Sequence, residues 1–387
     1  MSMVARLCVR ELVFFPFGIL FMKKTLSRLA VLFGVVVMLW SGIATAAEIV
    51  DLRGRKVTVP DKVQHISIDD GRYLVALSLI QADPVSVLAA WPRDINRIGP
   101  ETYAQFLQRF PALGKLPQVA SSAGSFNLEA VLAAAPDVAV VSLDSGPSDA
   151  QVAQLQAAGI PVVFIDFFIN PFKNQAASLR ILGKLAGASA KAEAYIAFRE
   201  QRLRTISQRV AALSPKARPT VFLEAHAGMT SDCCNSPGKG NLGDYIEFVG
   251  GHNIGADVLS GAAGKLNLEY VISRNPQVYI ATGGPHLAKS GGLVLGVGYD
   301  QAQAQASLAK ISRRQGIAEL TAVKTKHAHA LAHQLINSPI DIVAIEAFAR
   351  WIHPELFQDI DPQRTLDEIN KQFLAVPYRG TGWADLQ

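Results

Sequence analysis

The chain has 387 residues, half of them hydrophobic and 18% charged, with a formal net charge of +5. That length allows two domains, and that composition excludes a disordered or low-complexity chain. The excess charge sits in the first 46 residues, which hold five Lys or Arg and one Glu, so the remainder is close to neutral and offers no basic footprint for nucleic acid.

From Met22 the text reads as a secretory signal peptide. Lys23, Lys24 and Arg28 form a basic start, residues 29–43 an apolar stretch, and Ala44-Thr45-Ala46 a small-residue cleavage site. The apolar stretch is short of the ~20 residues a membrane span needs. Residues 1–21 read as an extension ahead of the true start. No cysteine stands at the cleavage site to take a lipid. The expectation is a soluble, monomeric protein of a Gram-negative periplasm, cleaved after residue 46. Beyond the leader only Cys233 and Cys234 remain, in an oxidising compartment. Adjacent cysteines cannot staple distant parts of a fold. They form either a vicinal disulfide or two packed thiols.

The mature chain opens on a short β-ribbon, with Val57 and Val59 alternating with polar residues before Pro60. Strands are expected at 65–69, 85–90, 138–141 and 162–167, with helices at 71–80, 128–135 and 149–158 between them. Alternation of this kind predicts a mostly parallel sheet, here an N-terminal α/β lobe over 47–170. Over 171–213 the pattern changes to about 40 residues of helical periodicity, broken only by Gly183 and Gly187. A flexible linker would be rich in Gly and Ser, so this reads as a stiff strut of one or two helices. A C-terminal α/β lobe over 214–387 follows. Its expected strands lie at 220–225, 278–281 and 329–334, and its helices at 244–251, 341–357 and 366–374. A polar tail closes it.

One segment is written twice. Residues 127–141 read NLEAVLAAAPDVAVV and residues 267–281 read NLEYVISRNPQVYIA. In the first, Leu128, Val131, Leu132 and Ala135 make one apolar helical stripe, and Leu268, Val271 and Ile272 repeat it. Asn127 is a candidate N-cap, Glu129 sits in the first turn where the helix dipole favours a carboxylate, and Pro136 or Pro276 stops the helix before a buried strand. The period is too long for a solenoid and implies two related lobes.

These features together resemble the periplasmic substrate-binding proteins of ABC importers for iron chelates and vitamin B12. The matching pieces are the leader, VTVP near the mature start, both NLE segments, AAGIPVV (157–163), LRILGKLAG (179–187), EFVGGHNIG (247–255) and HPELF (353–357). The resemblance covers 48–375. It implies two Rossmann-like lobes joined by one long linking helix, with little hinge bending and a ligand cleft between the lobes. It implies a ferric siderophore or related chelate as ligand, so that Fe³⁺ arrives with the cargo and the protein keeps no cofactor of its own. Haem, cobalamin or a bare metal ion remain alternatives. It also implies an ABC permease partner, met through Glu129 and Glu269.

A cleft for bulky anionic chelates calls for Arg and aromatic side chains on loops at the C-terminal ends of strands. Arg72 and Tyr73 open a helix just after a strand. Trp91 and Arg93 share a proline-bounded loop. Ser122 lies before the first repeat helix, and His226 and His333 follow strands of the second lobe. These seven are the candidate ligand contacts. For Tyr73 packing inward is the competing role, for Arg72 a solvated surface charge, and for Trp91 and Arg93 a surface aromatic that holds its loop shut. His327, His329 and His333 alternate along one strand and read as a strand face. A metal-binding alternative would draw on His65, Asp69, His226 and His333. Cys233 and Cys234 lack zinc-site spacing. No nucleophile elbow, P-loop, dinucleotide fingerprint or H-E-x-x-H motif is present, which speaks against an enzyme.

Overall fold

The computed structural model describes residues 46–93, 95–119, 126–230, 232–336 and 338–387. The extension, nearly all of the leader, and Ser122 lie outside these residues. Strands β1 (Ala46–Val50) and β2 (Lys56–Pro60) form the expected antiparallel ribbon, with Ile49, Val57 and Val59 turned into the core.

The first lobe runs β3 (Ile66–Ile68), α1 (Arg72–Ile80), β4 (Leu88–Ala90), α2 (Ile95–Ile98), α3 (Pro100–Arg109), α4 (Leu128–Ala134), β5 (Val138–Ser142), α5 (Asp149–Ala157) and β6 (Val162–Ile165). Its four strands are all parallel, in the order β4-β3-β5-β6. Apolar residues cover both faces of the sheet, which is why its strands read as continuous hydrophobic runs.

The strut is two helices, α6 (Pro171–Leu185) and α7 (Ser189–Val210), which turn back on each other at a left-handed Gly187. Helix α6 packs on β6 and α1 of the first lobe. The joint between lobes is therefore the 22-residue α7, which touches α1 on one side and, in the second lobe, α13 (Ile342–Ile352) on the other. The expected linking segment 171–213 is thus shorter as a joint, because its first half is part of the first lobe's helical layer.

The second lobe starts with β7 (Thr220–Glu224), β8 (Asn235–Pro237), α8 (Leu242–Phe248), β9 (His252–Asn253), β10 (Ala263–Lys265), α9 (Leu268–Arg274) and β11 (Val278–Gly283). It continues with β12 (Gly296–Val297), α10 (Gln301–Ser312), α11 (Thr321–Lys324), β13 (Ala328–Ala332), α12 (His333–Ile336), α13, α14 (Pro362–Gln372), β14 (Gly380–Thr381) and β15 (Trp383–Asp385). Its sheet has the order β15-β13-β11-β7-β9, parallel except for β15. The polar tail thus supplies the antiparallel edge strand.

Without that edge strand, the order β9-β7-β11-β13 matches β4-β3-β5-β6. The repeated segment occupies equivalent places. Asn127 accepts a hydrogen bond from the Ala130 amide, and Asn267 one from the Glu269 amide. Each helix ends on a left-handed residue, Ala135 or Asn275, and feeds an inner strand of its sheet. Val131 and Val271 are buried, as the stripe predicts. Leu132 and Ile272 are not: they are 36% and 41% exposed. A helix of only seven residues buries just the centre of its stripe, so the outer apolar position in each copy faces out.

Candidate functional site

In parallel α/β sheets, ligand loops gather at the C-terminal ends of the strands, where the strand order reverses. In the first lobe the loop after β3 carries Asp69, Asp70 and Arg72. In the second lobe the ends of β7, β11 and β13 carry His226, His286 and His333.

Asp70 is fully buried and is bracketed by two arginines. Arg72 donates to both of its carboxylate oxygens, at 3.0 and 2.7 Å, and Arg97 from α2 reaches the same carboxylate. Burial alone would push the Asp70 carboxyl up, yet the two guanidinium groups hold it below the usual carboxylate range. The two guanidinium groups thus share this one carboxylate. The Arg72 guanidinium also lies 3.2 Å from the centre of the Phe168 ring, which fixes its plane. Arg72 and Arg97 line a cavity between the lobes, faced by Gln334, Ser338 and Tyr378 of the second lobe.

The strand ends of the second lobe carry an imidazole cluster. His226 Nδ1 lies 2.9 Å from His286 Nε2, and the rings of His226 and His333 are 3.9 Å apart. His333 Nδ1 is 2.9 Å from the Thr282 hydroxyl. All three are held neutral. Burial and the neighbouring His286 push His226 down to about 4, burial lowers His286, and burial with the nearby His226, His286 and Arg72 sets His333 well below its usual value. Gln334, the neighbour of His333 in sequence, lines the cavity together with Arg72 and Arg97. His226 itself sits in a left-handed backbone conformation (φ 53°). Gly284 makes the close packing possible: a Cβ there would stand 2.9 Å from Gln334 Oε1 and 3.0 Å from His286 Nδ1.

Of the seven sequence candidates, Arg72, His226 and His333 come together here. Tyr73 does not. It is fully buried, its hydroxyl donates to Ser142 Oγ at 2.8 Å, and its ring stacks on Phe168. Ser142 in turn donates from Oγ and from its amide to Asp69, both at 2.9 Å, and burial raises that carboxyl to about 7. Trp91 is likewise a core residue, fully buried against Tyr103. Arg93 is turned to its own lobe, donating to the Gly114 carbonyl at 2.7 Å. The reason is common to all three: partners from other segments of the first lobe, Ser142 and Phe168, Tyr103, and Gly114 in turn, take the side chain. Ser122 lies outside the described residues. Arg97 and His286 were missed as single candidates. Arg97 stood in a polar stretch without a strand to announce it, while His286 was within reach because it follows a strand by three residues.

The four donors weighed for a bare metal ion do not converge. His65 is exposed beside Asp137 at the opposite end of β3, and Asp69 is engaged by Ser142. Among the described residues no group of three or more His, Cys, Asp or Glu is placed to hold a bare metal ion. Cys233 and Cys234 are bonded to each other in the loop between β7 and β8, and His329 belongs to the sheet, bound to Asp385 and stacked on Trp351.

Two parallel-sheet lobes of matching order, with their ligand loops facing one another, define a two-lobed solute-binding protein. The chain belongs to the periplasmic binding protein family, which matches residues 78–335. It is similar to the TroA-like periplasmic binding protein FepB from Veillonella parvula, with 26% identity, a TM-score of 0.79, and coverage of 88% of this chain and 99% of that one. The uncharacterized ABC transporter substrate-binding lipoprotein YvrC of Bacillus subtilis (strain 168) is 21% identical over 352 residues, spanning 87% of this chain and all of that protein. A cobalamin-binding protein of Halobacterium salinarum is 29% identical over 225 residues, 58% of this chain and 54% of that protein. The protein is thus a substrate-binding protein of an ABC transporter, a family of transport proteins and not of enzymes. Among the described residues no helix is long and apolar enough to cross a membrane.

Proposed function

We propose that this protein carries an anionic metal chelate, a ferric siderophore first among them, to the membrane permease of its importer. The observation that carries this reading is the asymmetry of the cleft. Arg72 and Arg97 supply guanidinium groups from the first lobe, and three neutral imidazoles at the strand ends of the second lobe supply ring nitrogens. Positive charge and planar forked donors suit the carboxylate, catecholate or hydroxamate oxygens of a chelate. Neutral imidazole suits its metal face or a polar edge. The export leader expected over 22–46 fits delivery outside the inner membrane.

Docking through Glu129 and Glu269 belongs to the same proposal. Both are exposed, one in the first turn of α4 and the other at the matching place in α9. The test is a titration of the purified protein with ferric siderophores of several classes, haem, cobalamin and zinc, read by absorbance and fluorescence. Saturable binding of a ferric chelate, lost in the Arg72→Ala/Arg97→Ala double variant, is the expected result. Binding of cobalamin alone, or of zinc alone, overturns the chelate assignment.

A further inference from the structure

Two polar atoms are buried at the seam between the lobes, and among the described residues neither has a hydrogen-bond partner. They are Glu101 Oε2 and the Tyr378 hydroxyl. Glu101 stands in the first turn of α3 in the first lobe, and Tyr378 follows α14 in the second. Both line one small cavity, with Ile98 and Thr102 on the first-lobe side and Pro285 and Val297 on the other. One atom is an acceptor and the other a donor. Burial pushes the Tyr378 hydroxyl well above its usual range, so it keeps its proton.

The two side chains are led to the same place. Glu101 reaches across the seam: a Cβ on Gly298, just after β12, would stand 3.0 Å from its Cγ. A Cβ on Gly296, two residues earlier, would stand 3.7 Å from the Tyr378 hydroxyl oxygen. Glycine at both positions lets an acid from one lobe and a phenol from the other approach the same short stretch. Tyr378 is fixed at its base. Its amide donates to Asn370 Oδ1 at 2.8 Å, and its carbonyl accepts from Asn370 Nδ2 at 3.0 Å. On one side of it β14 pairs with β12, and on the other the Ala375 amide donates to the Ser78 carbonyl of α1 at 2.9 Å. This stretch is therefore tied to both lobes.

A buried donor and a buried acceptor left unpaired each destabilise the arrangement that holds them. Here each is the partner the other lacks. We infer that Glu101 and Tyr378 are the two halves of a latch between the lobes, whose hydrogen bond forms when the cleft closes on cargo. Closure on cargo rests on the solute-binding reading above. A phenol donating to a carboxylate makes a charge-assisted bond, stronger than a neutral one. The latch slows release without touching the cargo, and recognition is left to the arginines and imidazoles.

The experiment is a double-mutant cycle on the mature protein, with Glu101→Ala, Tyr378→Phe and both together. Melting temperature is read without cargo. Affinity and dissociation rate are read with whichever of a ferric siderophore, haem or cobalamin the parent binds most tightly. Without cargo, Tyr378→Phe is expected to melt at or slightly above the parent, since it removes an unpaired hydroxyl. With cargo, each single variant is expected to release roughly tenfold faster at a nearly unchanged association rate, and the double variant no faster than the singles. Unchanged release in the singles, or losses that multiply in the double variant, overturns the latch. So does a drop of several degrees in the empty Tyr378→Phe protein, because the hydroxyl would then already be paired. A parent that binds cobalamin alone overturns the chelate assignment, and the cycle still decides the latch. A parent that binds none of the three overturns both.

Discussion

Arg199 and Asp341 form a buried, two-pronged ion pair between the linking helix and the second lobe. Arg199 Nε and a terminal nitrogen donate to the two carboxylate oxygens at 2.8 and 2.7 Å, and Tyr245 adds a third hydrogen bond to Asp341 at 2.9 Å. Two neighbours grip the same turn: Gln175 and Tyr195 both donate to the Pro339 carbonyl, at 2.7 and 2.8 Å. Asp341 sits at the N-cap position of α13 but makes no cap bond, because its carboxylate is spent on Arg199. Removing one partner leaves the other charge buried and unpaired, which costs about 3–5 kcal/mol. Asp341→Ala is expected to lower stability to denaturant by that amount, and Tyr245→Phe by about 1 kcal/mol. Urea unfolding of the three proteins checks the order.

The paired arginines give a second expectation. A hydrogen bond to a charged group is worth about 1.5–3 kcal/mol. Arg72→Ala or Arg97→Ala should therefore weaken chelate binding roughly tenfold or more, with the double variant weaker than either. Arg93→Ala should leave affinity unchanged, because that side chain serves the Gly114 carbonyl. Isothermal titration of the variants separates the two outcomes.

The imidazole cluster fixes a response to acid. Burial, then His286, keep His226 from taking a proton until about pH 4, whereas an unfolded histidine takes one near 6.5. Between those values the unfolded chain binds the extra proton. The contribution to stability is complete above about pH 6.5 and is lost as pH falls towards 4. Thermal melts from pH 7.5 to 4.5 should show this loss, and His226→Asn should reduce it. Asparagine is the right replacement, because it tolerates the left-handed backbone at this position.

Glu346 works in the opposite direction. Burial raises its carboxyl to about 7, and although Arg202 Nε lies 3.5 Å from one carboxylate oxygen, the other has no hydrogen-bond partner. The folded protein holds this proton up to about pH 7, while the unfolded chain releases it near 4.5. Its contribution is therefore present below pH 4.5 and lost as pH rises through 7. Glu346→Gln should be more stable than the parent at pH 8, by a margin on the order of 3 kcal/mol at most, and should match it at pH 4.5. Melts at the two pH values decide it.

The alternation of buried strands and helices was legible because both sheets are covered on both faces, and such strands announce themselves as apolar runs. The duplicated NLE segment was legible because its cap, stripe and stop lie within 15 residues. Helix α10 was not read, since QAQAQASLAKIS carries no strong stripe. Its start was nonetheless spelled out, with Asp300 and Gln303 forming a reciprocal capping box. The site was half legible. Strand ends pointed to Arg72, His226 and His333. Whether a side chain beside them turns into the cleft or under it depends on packing from elements far away in sequence, such as the Phe167–Phe168 turn over Tyr73. Local pattern holds no record of that.

The loops after β3 and β7 are counterparts, yet one presents Arg72 and the other His226. The helices α4 and α9 are also counterparts, and both kept asparagine, leucine, glutamate and an outward aliphatic. The two halves thus differ at the loops that face the cleft and agree at the helices that feed the inner strands. One backbone plan, used twice, carries unlike side chains on its loops and like ones on its framework.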